Sequence, residues 1–532
     1  MVCMASIPLG ARSAEPAGEA AAVGSVRIQR FEIVGASAVP EAELQAALAP
    51  FLNTPVSRDD LTRAARTIER KYQVEYRLVA RVTLPAQDIT DGVVRLRVAE
   101  ARFGKAVVQT GAAPAELHAI GIERAAAVVQ AQQPGGALLN IDAVERATSL
   151  LNEWPGLSAQ SSLIAGAQPG ETDVALSLQD RRPWEALLRA DTEGARATGR
   201  ARLGLESSYV LPGGRGQVVG LGASLSEGSR LIRLSASAPL NERGWRASVY
   251  GSALDYRLVT TEFNSLDVKG PSDTLGANLS WAMQRSADAS SDASAQFEHR
   301  RFNNQALGTT LSDYTIDVIT LRWAAQADDP IGRSRTSGDL SLSVGRVDLT
   351  GSPNETADAL TTRTAGRYAA LRASVARMQA FSATQSASVR VSGQISLHNL
   401  DVSERLPIAG PAGVRAYPVG EATGSRGLLA TSEWLQGLGG WGRPELTLAA
   451  FADVGVADQL VTTDFAGAPD KNRLRLAGAG LWLEWRPTGA AVTARLTVAQ
   501  PIGAHPNPTP AGTNQDGSRI GTRWWASLQW AL

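Results

Sequence analysis

Cysteine is almost absent from this chain: among its 532 residues, Cys3 is the single one. A lone cysteine excludes both a disulfide framework and a cluster of thiolate metal ligands. Histidine is also scarce, and the four residues are too scattered to form a metal-ligand pattern: His118, His299, His398 and His505. We interpret them as ordinary residues of the surface or of an internal channel. No metal site, cofactor site or catalytic residue is predicted.

Net charge and long apolar runs are lacking as well. Lys and Arg number 52, and Asp and Glu number 52, so the formal net charge is zero. A nucleic-acid partner would require a clustered basic excess, so none is predicted. No stretch reaches the roughly 18–20 uninterrupted apolar residues of a membrane-spanning helix. With 44% hydrophobic residues, the composition fits a soluble protein and also a membrane β-barrel, whose strands hide apolar residues by alternation.

Residues 26–100 have the pattern of one compact α+β unit, preceded by an N-terminal segment, 1–25, that is a candidate for disorder. An alternating strand from Val26 is broken by Gly35, and a helix follows to about Leu52. Ser57 is the predicted N-cap of a second helix. Helical spacing places five residues on its buried face: Leu61, Ala64, Ala65, Ile68 and Tyr72. Two strands, near 77–84 and 92–99, complete the order β-α-α-β-β.

Residues 101–182 form a second predicted unit. Its first strand centres on Ala106-Val107-Val108. Helices are predicted near 114–130 and 141–152, the second starting at Asn140 or Asp142 and ending at Pro155-Gly156. An alternating strand follows the turn at Pro169-Gly170.

From about residue 183, helical periodicity disappears and alternating segments replace it. Leu275 and Leu279, for example, alternate with the polar Asn278. The segments number about sixteen and are longer than the usual ~5–6 residues of soluble sheets, and an even number of long strands is typical of bacterial outer-membrane barrels. A soluble sandwich, with the apolar face inward, would show the same alternation. The segments lie near 184–192, 200–211, 215–226, 229–239, 244–256, 273–285, 292–302, 314–326, 336–348, 365–379, 384–398, 427–437, 444–456, 473–485, 491–500 and 522–532.

The chain ends in one of these alternating segments. One face stays apolar up to the terminus: Trp524, Ala526, Leu528, Trp530 and Leu532. Four other tryptophans are candidates for the aromatic girdles of membrane interfaces, with a packed interior position as the alternative for each: Trp281, Trp323, Trp482 and Trp485.

The longest connection rich in glycine and proline lies at about 399–426, between the eleventh and twelfth segments. It contains Val414-Arg415-Ala416-Tyr417, followed by Gly420. The thirteenth segment contains Phe451-Ala452-Asp453-Val454-Gly455, and alternation turns Phe451, Asp453 and Gly455 to the inside of a barrel. Arg415 can meet Asp453 only if the loop folds back into the lumen. The alternative is a solvated loop arginine and an unrelated pore-lining acid.

These two motifs resemble those of the outer-membrane translocators of two-partner secretion, the family that exports haemolysins and filamentous haemagglutinins. Residues 72–96 resemble the helix-to-strand signature of a POTRA domain, and 169–178 resemble the last hairpin of a second one. The resemblance covers residues 26–532. It implies two small α+β POTRA domains, at 26–100 and 101–182. An all-β, 16-stranded antiparallel transmembrane barrel over 183–532 would follow, with its sixth outer loop folded inward.

The resemblance also implies a function. Periplasmic POTRA domains would capture an unfolded secreted partner, and the barrel in the bacterial outer membrane would export it without ATP; no enzyme activity is implied. The sequence contains no Gly-x-x-x-x-Gly-Lys-Ser/Thr motif for nucleotide binding. The implied partners are a large, β-helical exoprotein, outer-membrane lipid, and the barrel-assembly machinery, which would read Trp530 and Leu532.

The resemblance assigns a role to the loop. Arg415 would bond Asp453 and lock the loop tip inside the barrel, with five residues in support: Val414, Tyr417, Gly420, Phe451 and Gly455. The family has glycine where this chain has Ala416. A left-handed backbone at that position would cost alanine on the order of 1 kcal/mol.

Three other functions compete. A barrel-assembly insertase of the same superfamily usually carries more POTRA domains than the two that fit before residue 183, and a passive porin needs none. A surface enzyme would need a motif such as Gly-x-Ser-x-Gly or His-Glu-x-x-His, and neither is present. An outer-membrane protein also needs a signal peptide. Because residues 1–24 lack its charged start and apolar run, we expect the natural start to lie upstream, and no amphipathic plug helix is predicted there.

Overall fold

The computed structural model describes residues 26–89, 91–109, 119–261, 265–329 and 331–532. Within them the chain forms two compact units, the first ending at Gln179 and the second beginning at Asp180. The predictions for residues 1–25 lie outside this part of the chain. None of the helices that the structure describes is long and apolar enough to cross a membrane.

The first unit opens with the predicted order of strands and helices. The sheet has the order β2 (Arg30–Val34), β5 (Val93–Glu100), β4 (Ala80–Thr83), with β2 parallel and β4 antiparallel to β5. The five residues predicted for the buried face of α2 are all buried. Ser57 caps this helix as predicted, since its hydroxyl accepts from Asp60 N while the Asp60 carboxylate accepts from Ser57 N. The elements are β1 (Val26–Arg27), β2 (Arg30–Val34), α1 (Glu41–Leu48), β3 (Pro55–Val56), α2 (Arg58–Val74), β4 (Ala80–Thr83) and β5 (Val93–Glu100).

The same arrangement then repeats. The sheet order is β6-β8-β7, again with the first strand parallel to the last. The helix predicted from 114 begins at Ile122, and 110–118 lie outside the described residues. Asn140 is the N-cap of the following helix, because its side chain accepts from Ala143 N at 3.2 Å. The elements are β6 (Arg102–Gln109), α3 (Ile122–Gln132), α4 (Ile141–Asn152), β7 (Leu157–Ala165) and β8 (Glu171–Asp180).

The second unit is a closed antiparallel barrel, which the described part of the chain builds from sixteen strands. Each predicted segment corresponds to one strand. The last strand closes the barrel on the first, where Ser527 lies opposite Asp191 and Ala531 opposite Leu187. The strands up to the long loop are β9 (Trp184–Asp191), β10 (Arg202–Val210), β11 (Val218–Leu225), β12 (Ser229–Pro239), β13 (Trp245–Arg257), β14 (Lys269–Arg285), β15 (Ala289–Ala306), β16 (Thr309–Asp328), β17 (Ser334–Asp348), β18 (Gly366–Ala380) and β19 (Gln385–Ser396).

Short elements lie in the barrel loops. One helix, α5 (Glu355–Leu360), lies between β17 and β18, and two short strands, β20 (Leu406–Pro407) and β21 (Thr423–Gly424), lie in the loop that follows β19. The remaining barrel strands are β22 (Arg426–Gly437), β23 (Leu446–Asp458), β24 (Arg473–Trp485), β25 (Val492–Pro501) and β26 (Arg523–Ala531).

The alternation in sequence becomes an apolar outside and a polar inside. Leu279, Val391 and Leu528 remain 39%, 39% and 45% exposed on the outer face, whereas Asn278 lines the lumen. Trp323 and Trp485 also lie on the outside, at 49% and 44% exposure. Trp482 instead occupies a packed interior position, the alternative considered for each of these tryptophans. Its side chain is buried in the lumen, and its indole N–H donates to Glu433.

Nitroxide labels on single cysteines are expected to report these two faces in membranes. After Cys3→Ser, labels at Leu279, Val391 and Leu528 should be accessible to oxygen dissolved in lipid, because the apolar face borders the acyl chains. Labels at Asn278 and Ser392, adjacent to two of these positions, should instead be accessible to a water-soluble nickel chelate. Reversed accessibility at both adjacent pairs would contradict a membrane barrel and favour an apolar interior.

Candidate functional site

The connection between β19 and β22, residues 397–425, folds back into the barrel as a hairpin. Its two short strands pair with Leu406 opposite Gly424. Beyond them lies the loop tip, residues 408–422, in which Ile408, Val414 and Tyr417 are at most 1% exposed. The tip packs against lumen-facing side chains of the strands that follow it: Leu429, Ala449, Phe451, Ala457, Leu474, Leu476, Trp482 and Ala499. The barrel wall from β22 to β25 therefore buries the tip.

Glycines on β23 and β24 make room for the tip. A Cβ at Gly455 would approach Ile408 and Val414 within 3.2 Å, and one at Gly478 would lie 2.6 Å from the methyl group of Ala416. Ala416 is absent from the residues with a positive φ. The alanine thus carries no left-handed strain, and Gly478 provides the space for its side chain.

The Arg415 guanidinium lies between two carboxylates on neighbouring strands. Its Nε donates to Asp453 Oδ2 at 2.9 Å and its Nη2 to Asp453 Oδ1 at 2.8 Å. The backbone N–H of Arg415 donates to the same carboxylate at 3.1 Å. Nη1 donates to Glu433 Oε1 at 2.6 Å. Two parallel charge-assisted bonds to one carboxylate fix both distance and orientation.

Aromatic side chains enclose this ionic cluster. The guanidinium carbon of Arg415 lies 3.5 Å from the centre of the Phe451 ring, a cation–π geometry. Trp525, on the last strand, donates its indole N–H to the carbonyl of Arg415 at 2.8 Å. Trp482 donates to Glu433 at 3.2 Å. The Asp453 side chain is fully buried and that of Arg415 is 12% exposed. Removing either charge would therefore leave its partner in a site with little water.

A second polar contact joins the tip to the loop before β26. Glu421 Oε1 lies 2.9 Å from His505 Nε2, and both side chains are buried. Glu421 Oε2 accepts from Gln515 N at 2.9 Å. Burial raises the pKa of Glu421 to about 7 and lowers the pKa of His505. Each of these two changes in pKa favours the uncharged form of its group. His505 therefore contacts the loop tip, a contact that its sequence surroundings did not indicate.

The base of the loop is held by a separate ionic cluster on the other side of the lumen. Glu404 is 3% exposed, and its Oε1 lies 2.5 Å from Arg300 Nη1 on β15. Arg372, on β18, lies 3.7 Å from Oε2 of Glu404 and donates to its backbone carbonyl at 2.7 Å. Gln394 donates to the same carbonyl at 3.1 Å. The loop is thus attached to two different parts of the barrel wall.

Apolar and amide contacts complete the base. Leu400 is fully buried in a cluster with residues of β16 to β18: Ile316, Val318, Val347, Tyr368 and Ala370. The Asn399 amide donates to the Thr362 carbonyl at 2.7 Å and accepts from Val461 N at 2.6 Å. The loop base is therefore bonded to the loops that follow β17 and β23.

The structure brings most of the sequence-predicted site residues together. Arg415 and Asp453 are in contact. Val414 and Tyr417 are buried in the loop tip, and Phe451 and Gly455 on β23 pack against it. Gly420 lies in the tip with a left-handed φ of 84°, a backbone conformation that glycine adopts without strain. Trp530 and Leu532 lie elsewhere, at the chain end, 50% and 39% exposed.

Sequence reasoning missed three participants. Glu433 lies opposite the inward Phe451 in the ladder and therefore faces the lumen. An acid at an inward position of the twelfth barrel strand could have identified it from the sequence. Trp525 occupies the inward register of the last strand and could have been found in the same way. Glu404 carried no such signal, because it ends a 3₁₀ helix of only three residues, Val402–Glu404, which is too short to show a periodicity.

Comparison with known families identifies this architecture. Residues 170–481 match the family described as "Haemolysin secretion/activation protein ShlB/FhaC/HecB", and residues 26–101 match "POTRA domain, ShlB-type". The chain belongs to the haemolysin secretion/activation family. As a member of this two-partner secretion family it is an outer-membrane translocator of a secreted partner, with periplasmic POTRA domains.

Individual relatives agree with the family. The "Heme/hemopexin transporter protein HuxB" of Haemophilus influenzae is 23% identical over 86% of this chain and 80% of its own length. The "Outer membrane transporter CdiB" of Escherichia coli is 23% identical over 43% of this chain and 42% of its own.

Solved structures share the fold. CdiB from Escherichia coli superposes with a TM-score of 0.70 at 17% identity, covering 97% of this chain and 93% of its own. BamA from Haemophilus ducreyi lacking POTRA domains 1–3 superposes with a TM-score of 0.56 at 13% identity, covering 95% of this chain and all of its own. Because translocators and BamA share the barrel fold, the family match is what distinguishes them.

Proposed function

We propose that this translocator captures an unfolded partner with its POTRA domains, passes it through the barrel lumen without ATP, and uses the loop 397–425 as the element that closes the lumen. The observation that carries the proposal is the pair of attachments of this loop, through Arg415 to β22 and β23 and through Glu404 to β15 and β18. A loop held by ionic contacts inside the lumen can be released without breaking any barrel strand.

The free edge of β7 is the proposed capture surface. β7 is an edge strand of its sheet, and among the described residues no strand pairs with its other side. Leu163 on this strand is 44% exposed. An extended segment of the partner could add to this edge, with backbone hydrogen bonds giving affinity and side-chain pockets giving specificity.

The proposed partner is a large, β-helical exoprotein that folds only outside the cell, so that its folding supplies the energy for export. Support for ATP independence comes from the sequence, which has no nucleotide-binding motif of the P-loop type. Outer-membrane lipid and the barrel-assembly machinery are the other proposed partners. The exposed Trp530 and Leu532 at the chain end are suited to recognition by that machinery.

Leu163→Asp is expected to weaken binding of the partner's N-terminal secretion domain several-fold, because a loss of about 1 kcal/mol at the edge corresponds to roughly fivefold in affinity. Binding to the purified full chain and secretion from cells should fall together. Ile122→Asp changes a similarly exposed apolar residue, 39% exposed at the start of α3, and should have no effect. Equal losses in both variants would contradict capture at β7.

Failure of nucleotide-free vesicles to take up the partner would contradict export without ATP.

A further inference from the structure

The lipid-facing side of β24 changes from apolar to basic along its length. Leu481, Leu483 and Trp485 are 52%, 39% and 44% exposed at one end. Ala477 and Ala479 follow on the same face, and then come Arg475 and Arg473, both exposed. Lys471, two residues before Arg473 in the preceding loop, is exposed as well. Two arginines thus continue the outward face beyond the apolar stretch, and an exposed lysine lies just before the strand.

The basic end faces the outside of the cell. β9 follows the periplasmic domains in the chain, so it and every second barrel strand after it run outward. β24 is the fourteenth strand of the barrel and runs inward, which places Arg473 at its outer end. The stretch from Ala477 to Trp485 spans about eight residue steps, or roughly 20 Å along the membrane normal at a tilt of ~40°. This nearly fills the apolar band of ~25 Å, so Arg475 lies at the level of the outer headgroups.

Acidic residues do not balance this cluster. Asp458 on β23 holds Arg473 through two bonds, of 2.6 and 2.8 Å. Arg475 lies opposite Val456 in the ladder, and among the described residues it has no carboxylate partner. Lys471 donates to the Pro506 carbonyl at 3.0 Å, and the part of the chain that the structure describes offers it no carboxylate partner. The two positive charges therefore face the headgroup layer without an acidic partner.

Several other outward basic residues at this level have an acidic partner. On β15 and β16, Arg301 bonds Asp313 at 3.0 Å and His299 bonds Asp317 at 2.7 Å. On β17, Arg346 lies 3.8 Å from Asp348. These pairs on β15, β16 and β17 differ from β24, where Arg475 has no such partner among the described residues.

We propose that Lys471, Arg473 and Arg475 bind the phosphate groups of lipid A in the outer leaflet. The planar guanidinium group matches the geometry of phosphate oxygens, and Asp458 orients the guanidinium of Arg473. Below the arginines, the small side chains of Ala477 and Ala479 lie beside the exposed Val454, leaving an apolar surface on which acyl chains can pack. The phosphate groups of lipid A would then contact the basic residues while its acyl chains pack on the apolar surface below them.

The test compares thermal stabilisation of the purified full chain in detergent by lipid A, dephosphorylated lipid A, phosphatidylglycerol and inorganic phosphate. Lipid A should raise the melting temperature of the wild type more than each of the others. In the double variant Lys471→Gln/Arg475→Gln, the apparent affinity for lipid A should fall about tenfold, because two charge-assisted contacts are lost. High salt should weaken wild-type binding as well.

The control variant is Arg346→Gln/Arg367→Gln, which changes two outward arginines that lie opposite each other on β17 and β18. Its affinity for lipid A should stay within about twofold of the wild type. Heat-modifiable migration on gels checks that both variants keep the folded barrel. Three results would overturn the proposal: unchanged affinity in the β24 variant, equal stabilisation by dephosphorylated lipid A, or equal stabilisation by phosphatidylglycerol or inorganic phosphate.

Discussion

Arg415→Ala is expected to remove most export of the partner while leaving the barrel inserted in the outer membrane. The side chain makes its bonds to Asp453 and Glu433 and takes no part in strand pairing. Charge-assisted bonds of this kind contribute roughly 1.5–3 kcal/mol, so a loop that needs this position should be misplaced in most molecules. Secretion should therefore fall by about tenfold or more. The measurement is secreted partner in the medium, normalised to heat-modifiable barrel in the outer membrane.

Asp453→Ala should reproduce the loss, and the double variant should be little worse than either single one. Residues in contact are not additive, because each single substitution already breaks the shared bonds. Glu433→Gln should be milder, since Glu433 receives one of the four bonds that Arg415 donates to carboxylates and is 20% exposed. Arg390→Ala, a change at an exposed arginine on β19, serves as the control. Additive losses, or normal export by Arg415→Ala, would show that the two motifs do not act as one device.

Most of the fold could be predicted because a barrel strand carries its own orientation in the sequence. Alternation of apolar and polar residues is a local signal, and in a closed barrel each strand pairs mainly with its neighbours along the chain. The segment predicted at 473–485 coincides with β24, for example, and that at 229–239 with β12. Alternation also placed Asp453 on the lumen side. Alternation alone does not show whether the apolar face points into the barrel or out of it. The length and number of the strands indicated that it points outward.

What the sequence could not supply was the contacts of the loop. Nothing in the residues around Glu404 indicates that it meets Arg300, which lies 104 positions away. For Trp482 the girdle and the packed interior both stayed open, and the burial and strand register of β24 show that it faces the lumen. His505 had no assigned role for a similar reason: its contact with Glu421 depends on how two irregular loops meet. Side chains on irregular backbone have no periodicity from which their direction could be inferred.

Glu404→Ala is expected to release the base of the loop and to raise the probability that the pore is open in planar lipid bilayers. The carboxylate is 3% exposed and lies between Arg300 and Arg372. Removing a buried partner is strongly destabilising because the remaining charge loses its compensation. Part of that effect is offset here, since Arg300 keeps Glu298 and Arg372 keeps the Glu404 backbone carbonyl. An increase of about tenfold in open probability corresponds to only ~1.4 kcal/mol, which is within reach of this loss.

Glu298→Gln distinguishes an effect of the loop from an effect of the barrel wall. Glu298 bonds the same Arg300 but lies on β15, so its substitution disturbs the arginine without removing a loop side chain. Open probability should then stay near the wild-type value. Because the base and the tip are held by different side chains on different strands, Glu404→Ala and Arg415→Ala should have additive effects on the free energy of opening. If Glu298→Gln opened the pore as much as Glu404→Ala, the effect would belong to the β15 wall, and the loop base would not be a separate attachment. Strong non-additivity with Arg415→Ala would instead mean that the loop moves as a single rigid body, released wherever it is first detached.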